Sequence, residues 1–541
     1  MSSPAPFFSI VTPVYDPDVD LLRQTIRSVT EQKLQDWELI LVDDRSRDER
    51  VREVLRAAAA ADPRVRVIER ETNGHIVAAS NDGVAAARGE FIALLDHDDL
   101  LVPRALRAMK AAIDAEPEAD YLYSDEDKID EQGRKYAPFR KPPWSPERLR
   151  GQMYTSHLSV LRTALVREVG GFHEGFDGSQ DHDLVLRVTE RARKVVHVPQ
   201  VLYHWRATPG SAAQDPDAKP YAWTAGQRAV QAHVDRVGID ATVELGPVPG
   251  TYHLERRLDP RTRVSVVIPT RGGDGFAWGQ RRVFVVEAVR SLIERAGHDN
   301  LDIVVVYDLD TPESVLQELR EIAGDKLDLV RYAKPFNFSE KCNVGVVASY
   351  GDIVVLLNDD TEIAEPNFIG RLCGPLLDEG VGLTGARLLY SDDTIQHAGL
   401  AFWRNHFSHM FYQHPRTRVG AANVLAVSRE CSGLTGACLA FRRSTYDEVG
   451  GFTETLPVNY NDVDFSFKMA WAGYSRVWVV NATAYHFESQ TRVAITHPWE
   501  HKLIKGRWLT PEYDPYVPHY GRVFIGTDEP LNRQFAKNAG H

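Results

Sequence analysis

Runs of β-branched and aliphatic residues recur along the chain, each ending in proline or in acidic residues. SIVTPVYDP (9–17), ELILVDDRS (38–46) and FIALLDHDD (91–99) are of this kind in the first half. SVVIPTRGG (265–273), IVVVYDLDT (303–311) and DIVVLLNDDT (352–361) are of this kind in the second. Such short apolar runs predict strands buried on both faces, with proline falling where a strand ends. Between them lie stretches with helical spacing, such as DVDLLRQTIRSVTEQ (18–32) and EAVRSLIERAG (287–297). Strand and helix in alternation predict an α/β fold with a mostly parallel sheet, in which ligands gather at the carboxyl ends of the strands.

The chain reads twice. NDGVAAARGEFIALLDHDD (81–99) is echoed by NVGVVASYGDIVVLLNDDT (343–361), and VREVGGFHEGFDGSQDHDLVLRV (166–188) by YDEVGGFTETLPVNYNDVDFSFKM (446–469). VLYHWR (201–206) is echoed by TAYHFES (483–489). Repetition of this length predicts two homologous domains, here 1–255 and 256–541. Asp98 and Asp360 are 262 positions apart, whereas Asp181 and Asp462 are 281 apart. The difference places an insertion in the second copy around 387–430. The joining stretch, 222–258, reads as a helix followed by short strands packing onto the first domain; it lacks the glycine, serine or proline density of a flexible linker.

Composition narrows the class. With 541 residues the chain exceeds one core, and 43% hydrophobic with 26% charged residues is the balance of a folded protein. A net charge of −13 argues against a general nucleic-acid binder. No apolar run is long enough to span a bilayer, and the start lacks a secretory leader, so the expected location is cytoplasmic, with a peripheral place at the inner membrane face as the alternative. Cys342, Cys373, Cys431 and Cys438 show no metal or disulfide spacing and read as core thiols. HKLIKGRW (501–508) reads first as a packed terminal helix, and second as a segment touching a membrane surface.

The acidic strand ends carry the candidate chemistry. Closely spaced carboxylates suit a hard divalent cation that also binds phosphate oxygens. A lone LLDHDDL fits a helix cap equally well; its return as LLNDDTEI at the same strand end favours a site. Asp98 keeps its carboxylate in Asp360, so the site rests on that pair, and Asp99, aligned with Thr361, is left to cap the helix that follows. In QDHDL (180–184) and NDVDF (461–465), one carboxylate is suited to act as a general base. The other would cap the helix or orient its neighbour. His204 and His486 recur at one register, and an imidazole ligand suits Mn²⁺ better than Mg²⁺. His397, His406, His409 and His414, inside the insertion, match no metal spacing and read as loop residues.

Taken together, these motifs resemble the family 2 glycosyltransferases of the GT-A fold, in a tandem arrangement closest to members that build O-antigen, capsule and similar surface polysaccharides. The resemblance implies an inverting, metal-dependent transfer of sugars from nucleotide-diphosphate donors to hydroxyls of a glycan acceptor, lipid-linked in such members, alongside other enzymes of the same pathway. It implies catalytic bases at Asp181 and Asp462, and Mn²⁺ or Mg²⁺ at Asp98 with His204 and at Asp360 with His486. Nucleotide-sugar contacts would come from Pro13, Tyr15, Asp16, Asp43, Asp44, Asn81 and Asp96 in the first copy. In the second they would come from Pro269, Asp308, Lys341, Asn343, Asn358 and Asp359, with Asp43 and Asp308 matched at the nucleoside end. Lys341 fits both a diphosphate contact and a solvated helix lysine. Leu309 and RGGDG (271–275) depart from the family pattern, so one active domain joined to a glycan- or nucleotide-binding module is the alternative. A nucleotidyltransferase is disfavoured by the lack of a glycine-rich, basic triphosphate loop at the first strand end.

Overall fold

The computed structural model describes residues 5–207, 220–404, 406–487, 497–517, 519–520 and 523–524. The chain forms two compact units, and they are interleaved in sequence. The first comprises Met1–Ser145, Gln152–Ile239 and Val243–Tyr252; the second comprises Pro146–Gly151, Asp240–Thr242 and His253–His541.

Each unit is built on one mixed sheet, and the order of the principal strands is the same in both. In the first unit, Phe8–Val14 runs parallel to Trp37–Asp43 on one side and to Phe91–Leu94 on the other. Ser159–Arg162 then enters antiparallel, followed by the parallel pair Ala119–Ile129 and Lys194–Arg206. In the second unit, Val264–Thr270 lies between Leu301–Asp308 and Ile353–Leu357, and Cys438–Arg442 is the antiparallel strand. The first strand thus has neighbours reached by crossovers in opposite directions, which opens a crevice at its carboxyl end. Pro13 and Pro269 stand at that end, paired with Val42 and Val306.

The apolar runs are buried as their pattern predicts. Phe8, Ile10, Leu39, Leu41 and Phe91 are at most 1% exposed, and each contributes about 1.5–3 kcal/mol by leaving water. A matched helix in each unit, His75–Ala86 and Phe338–Ala348, packs over these strands. Its exit passes close to the first strand at Gly89 and Gly351. A Cβ there would lie 2.6 Å from the backbone nitrogen of Ser9, or 2.5 Å from that of Ser265, so only glycine fits.

The joining stretch forms the helix Pro220–Arg236 and the strands Ala241–Leu245 and Tyr252–Arg256; the helix packs on Gln180–Thr189. RGGDG opens an extra hairpin, Asp274–Ala277 with Gln280–Val283. The insertion supplies Ile395–His397, Leu400–Trp403 and His406–His409. All four cysteines are buried free thiols. Within the second unit, Arg256 forks onto both Glu147 carboxylate oxygens at 2.7 and 2.6 Å, and Glu430 accepts from the Glu147 backbone nitrogen at 2.8 Å. Among the described residues, no helix is long and apolar enough to cross a membrane.

Candidate active site

In the second unit the crevice is a cavity of about 820 Å³. At one end, Lys341 reaches up from its helix. It is 1% exposed, and its Nζ donates to the Thr270 carbonyl at 2.6 Å and to Asp308 Oδ1 at 2.8 Å. The solvated reading of this lysine is therefore set aside. Asp359 accepts from Thr270 Oγ1 at 2.7 Å. Burial, together with the neighbouring Asp360 carboxylate, pushes its pKa up to about 6 against the pull of Thr270 and Lys341.

Asp360 Oδ1 lies 3.0 Å from His486 Nε2, because Thr361 pairs with His486 across the sheet. The other His486 nitrogen, Nδ1, is 2.6 Å from Gln396 Oε1. Asn358 Nδ2 is 3.3 Å from His486 Nε2, and Asn358 Oδ1 is buried without a hydrogen-bond partner among the described residues. Asp462 sits in the first turn of Asn461–Trp471, its Oδ2 accepting from Gly436 N at 3.0 Å and its Oδ1 from Val463 N at 2.8 Å. Asp464 is fully buried and turned away, accepting from Thr453 Oγ1 at 2.6 Å and Trp508 Nε1 at 2.7 Å. One carboxylate faces the cavity and the other anchors the helix.

The first unit holds a smaller cavity, about 400 Å³, lined by Pro13, Tyr15, Asp44, Asp96 and Asp98 among others. Asp44 accepts from Arg70 Nη1 at 2.5 Å and Gly74 N at 2.9 Å. Burial raises the pKa of Asp98, with Asp96 adding to the effect and His97 opposing it. Asp181 and His204 lie outside that lining. Burial also raises Asp181, with His157 opposing. His204 Nδ1 is held by Asp127 Oδ1. His157 replaces Ala437 at the matched strand register. Burial works against its charge, but Glu126, Asp96 and Asp99 lift its pKa to about 9. The tight acidic group here is Asp96, Asp99 and His157, whose ligand atoms lie within 4.8 Å of one another; Asp98 with His204 is not that group.

Residues 9–170 match the family "Glycosyl transferase family 2", and residues 260–509 match "Glycosyltransferase like family 2". The chain belongs to glycosyltransferase family 2. Two of its domains stand in tandem, with the α/β GT-A architecture. The chain is 42% identical over 532 residues to the uncharacterized protein y4gI of Sinorhizobium fredii, covering 94% of this chain and 57% of that one. It is 32% identical to the O-antigen biosynthesis protein RfbC of Myxococcus xanthus, covering 98% and 41% respectively. The chain thus spans about half the length of these relatives. Among solved structures, S. aureus TarS in complex with UDP-GlcNAc matches at 20% identity with a TM-score of 0.35, over 42% of this chain and 66% of that one.

Four expectations for this glycosyltransferase are corrected by the structure. Asp43 is not the counterpart of Asp308. Val14 pairs with Asp43 where Thr270 pairs with Tyr307, so Asp44 matches Asp308, and Asp43 is buried with its Oδ1 accepting from Ser46 N at 3.0 Å. Asn81 and Asn343 do not line either cavity. Each closes a two-way amide bond with the GGF loop, at 2.8 Å both ways with Phe172 and at 3.0 Å both ways with Phe452. Asp99 does not cap a helix: its carboxylate accepts from Tyr203 Oη at 2.6 Å and Arg206 N at 2.7 Å. Asp16 turns to Arg47, 2.6 Å away, outside the cavity lining.

Apart from Asp181 and His204, the remaining expected residues, Pro13, Tyr15, Asp44, Asp96 and Asp98 in the first unit and Pro269, Asp308, Lys341, Asn358, Asp359, Asp360, Asp462 and His486 in the second, line the cavities. The sequence reading missed Gln396, which orients His486, and His409, which reaches the cavity from the insertion. Matching of the two halves carries no signal for either, since both lie in the unmatched segment.

Proposed function

We propose that the chain moves sugars from nucleotide-diphosphate donors to hydroxyls of a growing surface-polysaccharide acceptor, with inversion and with one site in each unit. The observation that carries this reading is that Asp308, Lys341, Asp360, His486 and Asp462 all face one cavity in the second unit. Asp308 with Lys341 holds the nucleoside and diphosphate end. Asp462 receives the proton of the acceptor hydroxyl; Asp181 has this role in the first unit. A nucleotide diphosphate leaves without protonation, so one base is enough, unlike the paired carboxylates of glycoside hydrolysis.

The donor set fits a divalent cation. Asp360 offers a carboxylate oxygen, His486 a ring nitrogen and Asn358 a buried oxygen with no hydrogen-bond partner among the described residues, a mixed set that Mn²⁺ accepts more readily than Mg²⁺. In the first unit Asp98 lines the cavity, but the expected His204 lies outside it with its Nδ1 held by Asp127, and the group brought together is Asp96, Asp99 and His157. When bound, the cation supplies positive charge to the departing diphosphate. The name of the Myxococcus relative, an O-antigen biosynthesis protein, supports a surface-glycan acceptor, lipid-linked, at the inner membrane face with partner enzymes of the pathway. The first unit's His157, set among its acids where the second unit has Ala437, favours a second reading in which only the second unit turns over and the first holds nucleotide or glycan.

Thermal-shift screening of UDP-, GDP- and dTDP-sugars with Mn²⁺ identifies the donors. Asp181→Asn and Asp462→Asn are then each assayed for both linkages. Each substitution is expected to abolish one linkage and spare the other, by roughly 10²–10⁴-fold. If either leaves both linkages unchanged, the two-site reading is wrong.

A further inference from the structure

Gln396 and His397 are neighbours on the strand Ile395–His397, inside the insertion that the first half lacks. Both side chains are buried, and each holds a different histidine of the cavity. Gln396 presents Oε1 to His486 Nδ1 at 2.6 Å. A carboxamide oxygen only accepts, so His486 carries a hydrogen on Nδ1, while its Nε2 faces Asp360 Oδ1 at 3.0 Å.

His397 acts in the opposite sense. Its Nε2 accepts from the Thr435 backbone nitrogen at 3.5 Å, which leaves its hydrogen on Nδ1. That nitrogen is 2.9 Å from His409 Nδ1, so His409 accepts there and carries its own hydrogen on Nε2. The two rings stand at 80° with centroids 5.0 Å apart. His397 is 0% exposed. Its burial, with His409, Arg429 and His486 beside it, holds its pKa well below the usual range, so the His397 ring stays neutral. His409, Thr435 and Asp462 all line the cavity, and Gly436, next to Thr435, donates to Asp462.

We propose that His409 is a neutral hydrogen-bond donor that reads a sugar hydroxyl in the second-unit cavity through Nε2–H, with His397 as its positioning residue. The phosphate end already has the Lys341 ammonium, whereas His409 is held by His397, which bonds Thr435, the neighbour of the Gly436 that donates to Asp462. A neutral donor there matches a neutral oxygen, and a site built to bond a hydroxyl rejects sugars that lack it or turn it away. The hydroxyl belongs to the donor sugar or to the acceptor. The inference rests on the glycosyltransferase reading of this cavity.

The test uses the full chain with Asp98→Asn silencing the first site, and the nucleoside diphosphate and nucleotide sugar selected by the screen above, with Mn²⁺. His409→Ala is expected to leave the affinity for the nucleoside diphosphate in place. It should weaken the nucleotide sugar, or raise the acceptor KM, by roughly 3- to 10-fold; the first result assigns the hydroxyl to the donor and the second to the acceptor. His409→Gln, which keeps an N–H, should recover most of the loss. His397→Leu should reproduce part of the KM effect with kcat less changed. Equal weakening of the nucleoside diphosphate, or no change in any of these constants, overturns the proposal. Resonances of ¹⁵N-labelled histidine give a readout apart from activity: a His409 hydrogen on Nδ1 overturns it, even where transfer is confirmed. If no nucleoside diphosphate binds the parent chain, the glycosyltransferase reading itself fails, which the tautomer measurement keeps distinct.

Discussion

Lys341 Nζ lies 2.8 Å from Asp308 Oδ1, and the matching helix position in the first unit is Ala79. There the partner of Asp44 is Arg70, which comes from the end of the neighbouring strand at 2.5 Å. Both units therefore place a cation on the acid that ends their second strand, and they draw it from different elements.

Lys341→Met should test that pairing. Truncation leaves the Asp308 carboxylate, its side chain 18% exposed, without its closest cation, at a cost of about 2 kcal/mol. The expected outcome is a lower Tm together with about ten-fold weaker nucleoside diphosphate binding, by calorimetry. Lys341→Arg should recover little, because a planar fork does not fit where a point charge meets a carbonyl and a carboxylate.

Gln396→Leu should act on metal affinity alone. The substitution removes the acceptor that fixes the His486 tautomer, and such orienting bonds are worth about 10- to 100-fold in affinity. Mn²⁺ titration of the full chain should show that loss in the second unit, with Asp360→Asn abolishing the site. An unchanged Mn²⁺ constant in Gln396→Leu would show that the ring is held by packing instead.

Asn81→Ala and Asn343→Ala should lower stability rather than binding. Each removes a two-way amide bond to the GGF loop, worth about 1–3 kcal/mol when the buried partners are left unsatisfied. Urea unfolding should report the loss, and nucleotide affinity of the folded variants should match the parent. Weaker nucleotide binding with unchanged stability would return these residues to the ligand.

Glu430 gives a pH signature. Burial, with the nearby Glu147 charge, raises its pKa to about 7 against the opposing backbone N–H bonds, from an ordinary value of 4.5. A carboxyl raised on folding stabilises the native state fully below pH 4.5, and that stabilisation is lost as pH rises through 7. The difference amounts to roughly 3 kcal/mol. Glu430→Gln should flatten that part of the stability curve, so its stability relative to the parent climbs between pH 4.5 and 7. Parallel curves across that window would show that Glu430 stays ionised throughout.

The strands, the repeat and the acids at the strand ends were legible because they depend on local pattern and on agreement between two halves. The choice between Asp43 and Asp44 was not. Successive strand residues face opposite sides, and nothing in VDD tells which one meets the crevice until the pairing with Val14 is known. Asn81 and Asn343 mislead for a different reason: a repeat marks whatever both folds need, and both need the GGF loop clamped. His409 and Gln396 escaped because an insertion has no second copy to be compared with. Lys341 was ambiguous because a helix lysine shows its burial only once the strand below it is placed.

The interleaving of the two units also bears on how the chain is made. Glu147 belongs to the second unit, yet the Glu430 carboxylate that accepts from its backbone lies 283 residues downstream. At about 5–20 residues per second, roughly 15 to 55 s of translation separate the two. The segment Pro146–Gly151 leaves the ribosome with the first unit and stays unpaired while the rest of its own unit is synthesised. Cutting the gene once between the halves would leave this segment on the wrong side of the cut.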